Sequence, residues 1–135
     1  MLALDYGSAR CGVAVSDPTG VLATPLDPVP SPGSRRGMSA LAELVGELGA
    51  DRVVVGLPLT LAGQDSQQTR EARRFAARLE RRLSVPVELF DERFTTVLAQ
   101  RTPEPRTSED SRAAAHLLNG WLDARRERRN TEDDG

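Results

Sequence analysis

The feature that most constrains the fold is an unbroken apolar run from Val53 to Leu57, directly after Arg52. A strand with one exposed face alternates apolar and polar residues, whereas a strand covered on both faces is apolar throughout. The run therefore predicts a central strand in a sheet that has helices packed on both sides. A chain of 135 residues is long enough for one such domain with a substantial core.

Shorter apolar runs, separated by turn-forming residues, complete the predicted sheet. Four further strands are expected at Leu2 to Tyr6, Cys11 to Ser16, Val21 to Leu26 and Val85 to Phe90. Helical spacing predicts helices at Leu41 to Leu48, Ser66 to Leu83, Phe94 to Arg101, and from Ser108 or Glu109 to about Arg125. The proline-containing segments 27–34 and 102–108 are expected to be loops.

The order of these elements defines the predicted fold. The first three strands have short connections, as in an antiparallel meander, and the later strands alternate with helices, as in parallel sheets. We therefore predict an α/β fold with a mixed five-stranded sheet flanked by helices, which is the order of ribonuclease-H-like folds. Residues 1–125 are predicted to form a single domain, and the charged segment 126–135 is predicted to be a disordered tail.

The composition excludes several classes of protein. No apolar run approaches the ~20 residues of a membrane span, and the N-terminus lacks the basic-then-apolar order of a signal peptide. One cysteine and one histidine cannot form an internal disulfide or a zinc site of nitrogen and sulfur ligands. Any metal ion must be bound by oxygen atoms, as magnesium and manganese are. These features predict a cytoplasmic protein with no membrane contact.

Acidic residues occur where buried elements end or begin. Asp5 closes the first apolar strand, Asp91 and Glu92 follow the fifth, and Asp110 opens the last helix. A carboxylate at the end of a buried strand costs several kcal/mol unless a cation compensates it. If these acids converge on one sheet edge, they form a divalent-metal site. Strand alternation does not choose between Asp91 and Glu92, because both faces of the sheet are covered.

The position of Asp110 favours a role in that site. At ~100° per residue it shares a helix face with the residues expected to pack on the sheet, which are Ala114, Leu117 and Trp121. The alternative is a helix cap, and the alternative for the first acid is a turn-forming residue. Gly7 and Gly12 around the first hairpin would let a phosphate backbone approach closely. His116 falls on the polar face and is predicted to be a surface residue.

Five short runs occur in order along the chain: Leu4-Asp5-Tyr6-Gly7, Cys11-Gly12-Val13-Ala14-Val15-Ser16-Asp17, Val55-Gly56-Leu57-Pro58-Leu59, Asp91-Glu92-Arg93-Phe94-Thr95-Thr96 and Asp110-Ser111-x-Ala113-Ala114. Together they resemble the YqgF, or RuvX-type, family of pre-16S rRNA nucleases over the chain to about Asp123. The resemblance implies a ribonuclease-H-like fold with acidic metal ligands at Asp5, Glu92 and Asp110. It also implies a nuclease dependent on Mg²⁺ or Mn²⁺ that processes the 5′ end of pre-16S rRNA during ribosome biogenesis.

The basic residues indicate where a nucleic acid would bind. All 18 of them are arginines. On the second predicted helix, the residues Arg70, Arg74, Arg78 and Arg81 form a stripe that could bind phosphates bidentately without reading bases. A solvated helix face is the alternative interpretation of this stripe. Arg10 in the first hairpin and Arg93 after the fifth strand are better candidates for contact near the scissile phosphate.

Other functions remain compatible with these motifs. The actin and sugar-kinase superfamily also uses an Asp-x-Gly hairpin to hold phosphates, but it encloses ATP between two domains, and this chain has one. The chain could instead be a non-catalytic nucleic-acid-binding module. It could also be a Holliday junction resolvase that cuts branched DNA, in which a homodimer would place two sites on paired strands. The sequence leaves monomer and homodimer open.

Overall fold

The five strands form one mixed sheet in a computed structural model that describes residues 1–17, 23–59, 62–91 and 109–133, with the backbone alone at 109, 110 and 125–133. The elements in chain order are β1 Leu2–Asp5, β2 Arg10–Ser16, β3 Ala23–Pro30, α1 Arg35–Leu48, β4 Val53–Leu57, α2 Gln67–Arg82, β5 Val87–Asp91 and α3 Glu109–Asp133. The strand order is β3-β2-β1-β4-β5, in which β1, β2 and β3 pair antiparallel and β1, β4 and β5 pair parallel. The predicted fold class is confirmed.

Two cores lie on opposite faces of this sheet. On the face that we call the α1/α2 face, large strand side chains pack against α1 and α2; they are Leu2, Leu4, Val13, Val53 and Val55. On the other face, the α3 face, the strands contribute Ala3, Ala14 and Val54, which pack against α3. Because side chains alternate along a strand, consecutive residues such as these enter different cores. The central strand β4 is buried at all five positions, as its apolar run predicts.

Both helices on the α1/α2 face begin at capping serines. The Ser34 hydroxyl accepts a hydrogen bond from the Gly37 amide, so α1 starts a full turn before its first apolar residue. It ends at Gly49, whose φ of 61° is the left-handed conformation that glycine adopts without steric cost. For α2, Ser66 and Thr69 form a reciprocal capping box. The Thr69 hydroxyl is also close to the Pro58 carbonyl oxygen and donates to it, which ties α2 to the segment after β4.

Strand β3 extends further than the sequence indicates. It runs through Pro30, whereas the proline-containing segment from position 27 was expected to be a loop. Proline cannot donate to a strand ladder, but β3 is at the edge of the sheet and pairs with β2 alone, so its free side tolerates proline. The register shifts between Cys11 and Val13, where Asp27 and Pro28 oppose Gly12 in a β-bulge.

Helix α3 continues to Asp133, beyond the predicted end near Arg125. The segment predicted as a disordered tail is therefore helical over most of its length, which agrees with the high helix propensity of its arginines and glutamates. Toward the middle of α3, Trp121 Nε1 donates to Glu88 Oε2 of β5 at 3.0 Å. Arg52 pairs with the same carboxylate and lies 5.6 Å from the centre of the indole ring.

Two groups of predictions fall outside the described residues. The expected short helix from Phe94 to Arg101 and the loop at 102–108 lie there, together with Glu92 and Arg93. Among the helices that the structure describes, none combines the length and the apolar character needed to cross a membrane.

Candidate active site

Asp5 is the last residue of β1 and lies where the parallel strands of the sheet end. The three residues before it are fully buried, and Asp5 itself is half-buried. The parallel neighbours β4 and β5 end at Leu57 and Asp91, which pair in register. Ligands of open α/β sheets bind outside the carboxyl ends of parallel strands. The structure therefore places the first predicted acid at the edge where a site is expected.

Asp5 belongs to the α3 face. Ala3, two residues earlier on the strand, packs in the core with α3, and alternation gives Asp5 the same direction. Its partner across the antiparallel pair is Gly12, which has no side chain. The parallel register with β4 would bring another glycine, Gly56, to the same level on the other side. The neighbouring strands thus contribute no side chains at the level of this carboxylate.

A buried serine holds the start of α3 beside Asp5. Ser111 is fully buried, and its hydroxyl accepts a hydrogen bond of 3.3 Å from the amide of Val13. Val13 pairs with Leu4, the residue before Asp5. The bulge in the β2–β3 pair lies at this point, and a bulge disrupts the ladder locally, so the serine supplies an acceptor that the strand lacks. The backbone of Asp110, one residue earlier, is therefore near the level of Asp5.

Ser111 lies at the candidate site, and the sequence suggested no role for it, although it stands in the last of the five motifs. The sequence signal that could have identified Ser111 is a polar residue at the start of the apolar stripe of α3. Successive positions on that stripe are buried, namely Ala114, Ala115, Leu118 and Leu122. The predicted inward stripe containing Leu117 and Trp121 is likewise buried.

The two acids at the end of β5 are separated by strand alternation. Phe90 packs in the core with α3, and Glu88 bonds Trp121 of α3, so even positions of β5 face α3. Asp91 therefore takes the direction of the α1/α2 face, opposite to that of Asp5. The next position would return to the α3 face if the strand continued by one residue. That position is Glu92, which is outside the described residues.

The turn after Asp5 brings Gly7 close to the backbone of Arg10. A Cβ atom added to Gly7 would lie 2.7 Å from the Arg10 carbonyl oxygen, a separation that real Cβ atoms do not adopt. The glycine is therefore required by the turn itself, independently of any phosphate. Arg10 starts β2 and is exposed, next to the end of β1 in space.

His116 is half-buried on α3 rather than at the surface as its wheel position suggested. Burial lowers its pKa below the ordinary value of 6.5, and the positive charge of Arg112, one turn earlier, lowers the pKa further. A neutral imidazole in this position neither binds phosphate as a cation nor belongs to the edge that carries Asp5.

The arginine stripe lies on a different layer from Asp5. Arg70, Arg74 and Arg78 are exposed on α2, which packs on the α1/α2 face. The predicted amphipathic character of α2 is confirmed by its buried side, which consists of Thr69, Ala72, Phe75, Ala76 and Leu79. Among the described residues, no ion pair joins an acid to these three arginines, and the bidentate ion pair of α2 joins Arg73 to Asp65.

Of the three predicted metal ligands, Asp5 is the one whose side chain is described. Within the described ranges, no three side chains of histidine, cysteine, aspartate or glutamate form a group that could hold a metal ion. The ligand set of Asp5, Glu92 and Asp110 accordingly stays a prediction. The donor chemistry available at the edge is oxygen, because the one cysteine, Cys11, is buried in the core of the other face.

Comparison with solved structures gives the fold. A solved structure of Thermus thermophilus RuvC in complex with a Holliday junction substrate superposes with a TM-score of 0.61, covering 93% of this chain and 96% of that chain. A second structure of Thermus thermophilus RuvC gives 0.57, covering 94% and 97%. Both are 17% identical to this chain, so the likeness concerns the fold. The protein has the ribonuclease-H-like fold of RuvC.

The sequence comparisons give the family. Residues 1–124 match the RuvX family, described as Holliday junction resolvase. A Mycolicibacterium paratuberculosis protein named "Putative pre-16S rRNA nuclease" is 46% identical, covering 99% of this chain and 86% of the relative. A Chloroflexus aurantiacus protein of the same name is 41% identical, covering 93% and 88%. The chain belongs to the RuvX family and is a nuclease, and nucleases of this family generally use divalent metal ions.

Proposed function

We propose that this nuclease hydrolyses phosphodiester bonds of RNA with Mg²⁺ or Mn²⁺, and that it processes the 5′ end of pre-16S rRNA in the cytoplasm. The substrate is suggested by relatives that carry the name of pre-16S rRNA nuclease at 41% identity and above. The structural observation that supports the proposal is the half-buried carboxylate of Asp5 at the open strand edge, with the start of α3 held beside it by Ser111.

The proposed ligands are Asp5, Glu92 and Asp110. Asp5 is suited to hold ions because it is at the carboxyl edge and opposite a glycine, so its oxygens can be reached. Asp110 is proposed on the position of its backbone in the first turn of α3, next to the anchored Ser111. Glu92 is preferred to Asp91 because alternation directs Asp91 toward the other face. Divalent ions held there would lower the pKa of the attacking water and neutralise charge on the leaving oxygen.

The arginines supply the contacts to the substrate in this proposal. Arg10, exposed beside the end of β1, and Arg93 are proposed to contact phosphates next to the bond that is cut. Arg70, Arg74 and Arg78 would contact the backbone further along, because α2 is on the other face of the sheet. Guanidinium groups bind phosphates in bidentate fashion without reading bases, so these contacts position the strand and leave sequence selection to other groups.

The test is a cleavage assay on three substrates. Single-stranded RNA with the 5′ precursor sequence, single-stranded DNA and a four-way DNA junction are incubated with Mg²⁺, with Mn²⁺ or with a chelator. We expect cleavage of the RNA that needs a divalent ion and disappears in Asp5→Asn. Asp51→Asn is the matched control, because Asp51 is an exposed acid at the opposite end of the parallel strands. Metal-independent cleavage, or full activity of Asp5→Asn, would contradict the proposal.

A Holliday junction resolvase is the second candidate. The observation that favours it is the superposition on RuvC in complex with a Holliday junction, together with the description of the matched family. Symmetric cutting of the junction requires two sites, hence a homodimer. Preferential cleavage of the four-way junction by a species that sediments as a dimer would support this function over RNA processing.

A further inference from the structure

A groove lined by arginines runs between α1 and α2, on the layer opposite the candidate active site. Its volume is about 400 Å³, and it is lined by Arg35, Met38, Arg78, Arg81 and Arg82. The lining residues come from the first turns of α1 and the last turns of α2, so these two helix ends meet there. Four arginine side chains border this open surface, which we call the α1/α2 groove.

Two of the four arginines of the α1/α2 groove are held by neutral partners. Arg78 donates to the Gly33 carbonyl oxygen at 3.0 Å, and Arg82 donates to the Ser39 hydroxyl at 2.9 Å. Within the described part of the chain, no carboxylate pairs with any of the four arginines. A cleft lined by one sign of charge concentrates the electrostatic field and attracts counter-ions, so this groove is suited to an anion.

The groove is continuous with the edge that carries Asp5. Ser31, just before α1, donates from its amide to the Ala9 carbonyl oxygen in the β1–β2 hairpin at 2.9 Å. Tyr6, the residue after Asp5, stacks on Phe75 of α2 with ring centres 4.6 Å apart. The hairpin therefore contacts α2 and the segment that leads into α1. A polymer leaving the active-site edge past this hairpin would enter the groove directly.

The length of the basic surface fits a polymer better than a small anion. From Arg70 to Arg82 the exposed arginines of α2, other than Arg73, which is paired with Asp65, span about 18 Å at ~1.5 Å per residue. One strand of a duplex carries a phosphate every ~3.4 Å, so this length corresponds to about five phosphates. An inorganic phosphate or a mononucleotide would occupy one part of such a surface and leave the remaining arginines without partners.

We propose that the α1/α2 groove binds the phosphate backbone of the nucleic-acid substrate at a distance from the bond that is cut. Arg35 and Arg82 are the contacts that this adds to the predicted stripe, of which Arg78 and Arg81 line the groove. The groove makes the enzyme hold long substrates by their backbone, independently of base sequence. This inference rests on the proposed function for the identity of the polymer, but its binding step needs neither metal ions nor turnover.

The test compares two double variants with equal loss of charge. Arg35→Gln/Arg81→Gln removes two groove residues, one from each helix. Arg36→Gln/Arg73→Gln removes two exposed arginines of the same helices that do not line the groove. Affinity for a fluorescently labelled single-stranded RNA, longer than the basic surface, is measured by anisotropy over a salt series in the presence of a chelator. Melting curves establish that both variants fold as the parent does.

The groove variant should reduce the slope of log affinity against log salt by about 1.4, at ~0.7 per lost phosphate contact on a single strand. The control variant should reduce it by less than half as much. Cleavage of an RNA too short to reach the groove should be unchanged in the control variant if the parent cleaves RNA. A failure of that cleavage in the parent contradicts the proposed reaction, whereas the binding result stands separately.

Equal slopes for the two variants would overturn the inference, because the effect would then be one of net charge. A second result that would overturn the inference is selective binding of a small anion in the groove. If inorganic pyrophosphate raises the melting temperature of the parent and not of the groove variant, while RNA affinity is the same in both, the groove is a small-anion site.

Discussion

The strands present side chains of different size to the two faces of the sheet. Those on the α1/α2 face are mostly leucines and valines, of which Leu2 and Leu4 are fully buried. On the α3 face the strands present Ala3, Ala14 and Val54, and α3 packs on them with small residues, Ala114 and Ala115, as well as large ones further along the helix. Small side chains let a helix backbone approach a sheet closely, whereas large ones hold it further away and bury more apolar surface.

This difference indicates separate roles for the two faces: one mainly stabilises the fold, and the other positions the start of α3. The α1/α2 face contributes most of the large buried side chains, and its outer surface carries the arginines. The α3 face contributes less apolar area, but it brings the start of α3 to the level of Asp5, where the Ser111 bond fixes it. Changes on the first face should therefore alter the free energy of unfolding, while changes on the second should alter catalysis as well.

The largest effect on stability is expected on the α1/α2 face. Leu79→Ala should lower the free energy of unfolding by about 2–5 kcal/mol, since it removes a fully buried side chain and leaves a cavity. Chemical denaturation measures this loss. Cleavage per folded molecule should be unchanged, because α2 does not carry the acids. A lower turnover of the folded variant at low temperature would show that the α1/α2 face affects catalysis as well as stability.

The next effect is expected where α3 approaches the sheet. Ala114→Leu should cost about 1–3 kcal/mol, because the added methylene groups do not fit between the helix and the strands. It should also abolish most cleavage, since α3 moves away and the edge around Asp5 opens. Ala113→Leu is the control, as Ala113 is exposed on the same helix. Equal activity of the two leucine variants would show that the approach of α3 is not critical.

Removal of the Ser111 hydroxyl tests its hydrogen bond with the Val13 amide. Ser111→Ala leaves the buried Val13 amide without its acceptor, so a loss of about 1–3 kcal/mol is expected from thermal or chemical unfolding. Turnover should fall more than stability alone explains, because the first turn of α3 loses its link to the strand beside Asp5. Ser84→Ala, at an exposed loop position, should change neither quantity.

The smallest effect concerns pH. Burial and Arg112 lower the pKa of His116, so the folded state favours the neutral imidazole. The stability that follows is fully present above pH 6.5 and is lost as the pH falls through the lowered pKa of the folded state. His116→Gln should flatten the melting temperature over that acidic range. Superimposable pH profiles of the two proteins would mean that His116 titrates alike in both states.

Much of the fold was predictable because its signals are local. The apolar run of β4 indicated cover on both faces, and the helical spacing in α1 and α2 predicted both helices. Two elements differed from prediction because their surroundings decide them. Pro28 and Pro30 belong to β3 since that strand is at the sheet edge. Helix α3 continues past Arg125 because its charged residues favour helix even without an apolar stripe.

The position of Asp5 at the sheet edge was predictable, and the contacts that support this edge were less so. Asp5 stands at the open edge, as an acid closing a buried strand implies. The role of Ser111 could not be read from sequence, because its partner Val13 is 98 residues away and needs an acceptor owing to a bulge in another strand pair. The assignment of Asp91 to the opposite face likewise required the observed contacts of Phe90, since the sequence fixes alternation but not its phase.

Trp121, which is hydrogen-bonded to Glu88, is an internal fluorophore that reports on the position of α3. Trp121 is the chain's single tryptophan, and it is 3% exposed. It lies on α3 ten residues from Ser111, or about 15 Å along the helix axis. Its emission should shift to longer wavelength when α3 leaves the sheet and water reaches the indole. Undocking of α3 can therefore be followed in unlabelled protein, separately from unfolding of the helices on the other face.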